Sequence, residues 1–203
     1  MCASMVDETK AEDTFVTARP RGRPRSEAAT VAVLDAAYRL CAAEGLRGAT
    51  MQAIATQSGV SKMTIYKWWD SRLALLIDAY LRHATLMLPI SETDPPVAAI
   101  RAHALRYVEA LQGDLGRVQM AVLCECWAEN GNANLFVARY LSIRRELGVG
   151  VIRRGQANGD IPAGRAAEAL YDQIYGTIFY RYQFGLGGIG TQEVNDMVMS
   201  VLR

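Results

Sequence analysis

The side chains best suited to chemistry in this 203-residue chain are hydroxyls and cations gathered over one short span. Thr50, Ser61, Thr64 and Tyr66 supply the hydroxyls, and Lys62, Lys67 and Arg72 the charges. Hydroxyls and cations at helix starts are what a phosphate backbone needs, because helix N-termini carry free N–H groups and a positive partial charge. Upstream lies a second basic feature, Pro20-Arg21-Gly22-Arg23-Pro24 followed by Arg25. Its prolines favour an extended arm, and its arginines suit the narrow, electronegative minor groove of A·T-rich DNA. The pentapeptide resembles an AT-hook core.

Other chemistries find little support. Gly185-Leu186-Gly187-Gly188-Ile189-Gly190 fits G-x-G-x-x-G literally. A helical pattern precedes it, however, and a dinucleotide fingerprint needs a strand there. Cys124 and Cys126 diverge by about 200° on a helix. With only His83 and His103 as imidazoles, no metal site is expected and no cofactor is implied. No pair or triad of side chains reads as catalytic, so an enzyme is not expected. The four cysteines form no disulfide scaffold. No secretory segment or membrane-length apolar run is visible. A cytoplasmic protein with reduced thiols is expected.

The net charge of +1 conceals a division. Residues 1–18 carry net −3, residues 19–72 net +5 and residues 73–203 net −1. The basic block therefore coincides with the arm and the hydroxyl-rich span.

The elements that must position these residues are helical throughout. The six prolines leave 25–88 and 97–161 free for long helices, and no period-two run marks a strand. Ser26 is expected to cap a helix that Gly45 ends, with Val31, Leu34, Tyr38 and Cys41 along one stripe. Thr50 and Ser61 cap two short helices joined at Ser58-Gly59-Val60, a helix-turn-helix pattern with Ile54, Val60 and Ile65 inward. Ser61, Lys62, Met63, Thr64, Tyr66 and Lys67 then lie outward or at the N-terminal end of the second helix. A longer helix from Ser71 runs to Pro89 and the SETDPP stretch, the outer edge of the N-terminal unit. Five further helices are expected over 96–112, 115–129, 133–158, 163–186 and 191–202. About nine helices in all make the expected class all-α. The divisions are a disordered tail (1–18), the Arg-rich arm (19–25), the DNA-binding unit (26–72) and a helical body (73–203).

The stretch GATMQAIATQSGVSKMTIYKWWDSRLALL, residues 48–76, resembles the DNA-binding domain of the TetR family of bacterial transcriptional repressors. That resemblance implies a homodimeric, ligand-responsive regulator of a near-palindromic operator. It implies phosphate contacts by Thr50 and Tyr66, base-facing positions at Ser61, Lys62, Met63 and Thr64, and a backbone or base contact by Lys67. Arg72 stands where the family usually has Lys, and Trp69 takes the core aromatic position. Trp68 and Asp70 depart from the family's usual residues.

In the body, Met87, Tyr107, Met120, Cys124, Trp127, Tyr175 and Phe179 are candidates to line an apolar effector pocket. The pattern over 163–186 holds two apolar stripes: Leu170, Ile174, Thr177 and Ile178, and Tyr171, Tyr175, Phe179 and Tyr182. A helix apolar on two faces needs two partners. Tyr171, Ile174, Ile178 and Tyr182, with Val194 and Val198, are therefore expected at a dimer interface. Two other readings stand beside this one. One is a nucleotide-binding enzyme built on 185–190, and the other an architectural binder of A·T-rich DNA led by the Arg arm.

Overall fold

A computed structural model describes residues 26–203. Tail 1–18, the arm with Arg21, Arg23 and Arg25, and Cys2 lie outside the described residues. Nine helices and no strand occur among the described residues, so the all-α expectation holds. They are α1 Glu27–Gly48, α2 Met51–Ser58, α3 Lys62–Trp68, α4 Arg72–Met87, α5 Pro96–Leu111 and α6 Asp114–Asn130. Next comes α7 over 134–158, made of Asn134–Phe136, a π-helical turn Val137–Leu141 and Ser142–Asn158. Helices α8 Ala167–Gln183 and α9 Thr191–Leu202 complete the chain.

Capping chemistry places α2, α3 and α4. Thr50, Ser61 and Ser71 each accept a hydrogen bond from the backbone N–H three residues on. Each such cap contributes about 1 kcal/mol. Ser26 differs: its carbonyl starts the helix, and its side chain makes no cap bond. Gly45 interrupts α1 with φ 68° and ψ −164°, and Gly59 ends α2 in the left-handed region. Val33, Ala36, Ala37, Tyr38 and Cys41 are the buried residues of α1, whereas Val31 and Leu34 are only half-buried. Alanines on this face let α2 and α4 pack closely.

Helix α4 packs on α1 and also on α6, and so belongs to both halves of the molecule. The helical body closes with α5 against α6, α7 and α9, and α7 antiparallel to α8. Bridges from Arg145 to Asp172 and from Arg153 to Glu168 give that direction.

The π turn has a geometric reason. Phe136, Tyr140, Arg144, Gly148 and Ile152 recur at intervals of four and are all buried. In a pure α-helix each such step drifts by about 40°. A wider turn removes part of that drift and keeps the stripe facing inward.

Helix α8 corrects the expected dimer stripe. Ile174, Ile178, Val194 and Val198 are fully buried within the single chain, and Tyr171 is nearly so. Only Tyr182 is half-exposed. The two apolar stripes lie side by side, and α5, α7 and α9 of the same chain pack over most of both, leaving Thr177 exposed and Phe179 part-buried. The outer faces of α7 and α8 instead expose Ile143, Leu147, Tyr180 and Phe184.

Gly148 lets α7 approach α8, because a β-carbon there would fall inside the van der Waals envelope of the Tyr171 ring. Gly148→Ala is expected to lower stability by about 1–3 kcal/mol, read from the urea midpoint at unchanged slope.

Candidate functional site

Two regions hold the candidate residues. The first is the exposed end formed by α2 and α3. Thr50 Oγ1 accepts from Ala53 N at 3.1 Å, and Ser61 Oγ from Thr64 N at 3.2 Å. The Ser61 and Thr64 hydroxyls also meet at 2.8 Å. Behind them Ile54, Ile65 and Trp69 are buried. Helix α2 packs on α1, α3 packs on α2, and Trp69 Nε1 donates to Asp78 of α4. Lys62, Met63, Tyr66 and Lys67 are exposed, Met63 by 71%. Lys62 Nζ lies 5.9 Å from the Tyr66 ring centroid. Tyr66 is 49% exposed, which leaves its hydroxyl in water. These exposed side chains project from one short helix, the shape that enters a major groove.

Arg72 stands apart from this group. Its guanidinium donates to the Leu46 carbonyl at 2.7 Å and pairs with the Glu125 carboxylate on α6. It thus ties the start of α4 to α1 and α6, and its donors are turned inward.

The second region is a cavity of about 560 Å³ enclosed by α5, α6, α7 and α8. Leu123, Phe136, Val137 and Phe179 make much of its wall, with exposed Trp127 at the rim. Tyr107, Gln119 and Tyr140 add a neutral polar corner. There Gln119 donates to the Tyr107 hydroxyl at 3.0 Å and accepts from Tyr80. A second polar group joins His103, Arg144 and Tyr175. Arg144 Nη2 donates to the Leu88 carbonyl and lies 2.9 Å from His103 Nε2. His103 Nδ1 lies 2.6 Å from the Tyr175 hydroxyl. Burial first, and the Arg144 charge second, pull the His103 pKa down to about 3. The ring is therefore neutral.

Comparison with known proteins decides the family. Residues 33–79 match the profile described as bacterial regulatory proteins, tetR family. Residues 90–201 match a tetracyclin repressor-like C-terminal domain. An HTH-type transcriptional regulator of Bacillus subtilis, YdeS, is 33% identical over 183 residues, covering 90% of this chain and 92% of the relative. The chain belongs to the TetR family. Among solved structures, the TetR-family transcription regulator SCO0332 superposes with a TM-score of 0.77 at 26% identity. That match covers 87% of this chain and 97% of the other. A TetR regulator from Agrobacterium tumefaciens has a TM-score of 0.67 at 22% identity, over 86% and 92% of the two chains. FadR of Bacillus subtilis, crystallised with stearoyl-CoA, has a TM-score of 0.60 at 21% identity, over 84% and 94%.

This TetR-family chain is a DNA-binding transcriptional regulator rather than an enzyme. The glycine segment 185–190 follows helix α8 and precedes α9, outside any βαβ unit. No helix among the described residues is long and apolar enough to cross a membrane. No group of three or more potential metal-ligating His, Cys, Asp or Glu side chains occurs among them either.

The cavity gathers Tyr107, Trp127, Tyr175 and Phe179 from the seven pocket candidates. Met87, Met120 and Cys124 are not among its lining residues. Tyr171, expected at an interface, is in the cavity wall instead. Sequence reasoning missed Arg144, Gln119 and Tyr140, and treated His103 only as a possible metal ligand. One signal was available for Arg144, which continues the four-residue spacing of Phe136, Tyr140 and Gly148. A cation on an otherwise inward-facing stripe marks a site.

Two measurements follow. Lys67→Ala is expected to weaken binding to every DNA sequence and to flatten the salt slope by about one. Electrophoretic titration at several salt concentrations reads this, and an unchanged slope removes the phosphate role. The second concerns His103, whose unfolded ring takes a proton near pH 6.5 while the folded ring resists until about 3. Its contribution is therefore complete above 6.5 and is lost as the pH falls toward 3. In His103→Gln the loss of stability between pH 6.5 and about 5 is expected to shrink, read by urea unfolding. His83, whose pKa burial also lowers, contributes equally to both proteins.

Proposed function

We propose that this regulator is a cytoplasmic homodimeric repressor released from a near-palindromic operator when an apolar or amphipathic molecule enters the cavity. In this reading Thr50, Ser61, Lys62, Met63, Thr64, Tyr66 and Lys67 meet DNA. The α3 helices of two copies enter successive major grooves about 34 Å apart. Arg21, Arg23 and Arg25 reach the neighbouring minor groove. Arg72 is reassigned from a direct DNA contact to holding the DNA-binding unit on α6.

The observation that carries the ligand-release reading is a chain of contacts from the cavity to α3. Val137, Tyr140 and Leu141 of the π turn are in the cavity wall. Arg139 of the same turn binds both oxygens of Asp78, at 2.9 and 2.8 Å. Asp78 in turn accepts from Trp69 Nε1 at 2.8 Å, and Trp69 is the C-cap of α3. A second link runs through α6, where Leu123 and Trp127 line the cavity and Glu125 holds Arg72. A molecule that displaces the π turn or α6 therefore pulls on the junction between α3 and α4, where both links end. The dimer reading rests on the exposed apolar residues of α7 and α8, with Tyr180 and Phe184 in place of the stripe expected from sequence.

Selection of bound DNA, then footprinting, is expected to return a site with two-fold character. A footprint without it counts against the dimer. For an effector found by screening for release of that complex, Arg139→Ala is expected to keep the effector's affinity for free protein within about threefold. Its effect on DNA affinity, typically about 5- to 150-fold, is expected to collapse toward none. Full release by the variant removes the π-turn link.

A further inference from the structure

We propose that the cavity selects a carboxylate-bearing molecule with an apolar or aromatic body, its acid group paired with Arg144 and hydrogen-bonded by Tyr175. This inference rests on reading the cavity as the effector site, and names the chemistry that the site recognises.

Arg144 is 7% exposed, and no carboxylate among the described residues lies within ion-pair distance of it. Taking a cation out of water without a counter-charge is costly. Its neighbour Arg145 shows the contrast, since Asp172 holds it through two hydrogen bonds at 2.8 and 2.6 Å. That pair also accounts for Asp172, the acidic residue of the cavity wall. With His103 neutral, the charged wall residues Arg144, Arg145 and Asp172 leave the cavity with one uncompensated positive charge.

The hydrogen-bond pattern narrows the ligand further. Both hydrogens of Arg144 Nη2 go to neutral acceptors, the Leu88 carbonyl and His103 Nε2. A guanidinium has five N–H groups, and the Tyr140 hydroxyl is a third neutral acceptor beside it, so the N–H groups beyond these three remain for a ligand. Because Nε2 accepts from Arg144, the His103 proton sits on Nδ1 and is donated to the Tyr175 oxygen. The Tyr175 hydroxyl then has its own proton to give. An arginine fork and a phenol donor held by one imidazole match a planar, two-oxygen anion. Leu123, Phe136, Val137 and Phe179 offer the rest of the ligand an apolar bed. The cavity volume of about 560 Å³ suits a drug-sized molecule.

The test uses the full chain and two matched probe pairs: decanoate with decanamide, and 1-naphthoate with 1-naphthamide. Binding is followed by calorimetry, and DNA release by fluorescence anisotropy. The acid of at least one pair is expected to bind at least about tenfold tighter than its amide. Arg144→Gln is expected to erase that preference by weakening the acid. Tyr175→Phe, which keeps the ring in place, is expected to weaken the acid by several-fold and leave the amide almost unchanged. Circular dichroism checks that each variant is folded, and Tyr175→Phe keeps the test open if Arg144→Gln is not. Amides that bind as tightly as the acids, or an acid preference surviving both variants, overturn the proposal. Amides that release DNA while the acids do not overturn it and leave the effector reading standing. Acids that bind through Arg144 without releasing DNA support the acid site and sink the effector reading. Failure of all four probes to bind overturns both.

Discussion

Helix α6 lies between the two halves of this regulator and must satisfy both. One face packs against α1 and α4, where Glu125 holds Arg72 and, through it, the Leu46 carbonyl. Another face carries Gln119, Leu123 and Trp127 into the cavity wall. A helix held by its own hydrogen bonds moves as a rod, so its two faces cannot shift independently. Close packing on both sides permits discrete rearrangements more readily than gradual deformation. The rest of the architecture follows from this shared rod, since α4 must also touch both halves and α7 must close the cavity from the far side.

The interior of the helical body is unusually polar for an apolar bundle. Tyr80, Gln119 and Tyr107 form one hydrogen-bonded group, and His103, Arg144 and Tyr175 another. Burial pushes the tyrosine hydroxyls up and His103 down, so these groups stay neutral around a single fixed cation. Such networks are costly when partly satisfied. A cavity beside them gives their remaining donors somewhere to point. Neutral surroundings also keep the Arg144 charge from being cancelled within the fold.

The DNA-facing half was legible in the sequence because its cues are local. A hydroxyl three residues before the N–H that it caps, a glycine at a left-handed turn and alternating inward aliphatics all act within one or two helical turns. Thr50, Gly59, Ser61, Ile54 and Ile65 therefore read correctly. Arg72 did not. Its charge and position matched the DNA-facing group, but Glu125, 53 residues further on, claims it. The two apolar stripes of α8 depend on distant residues in the same way. Their apolar character was plain, yet whether a second copy or the chain's own α5, α7 and α9 covers them depends on packing.

By itself, then, the sequence determined the helices, the helix-turn-helix and the segregation of positive charge to residues 19–72. Periodicity, capping and charge are properties of neighbours along the chain. Tertiary structure alone decided which aromatics line a cavity, which arginine is left unpaired inside it and which turn of α7 reaches back to Asp78. Those are relations between residues far apart in sequence, and only the packing of one helix on another brings them within hydrogen-bonding distance.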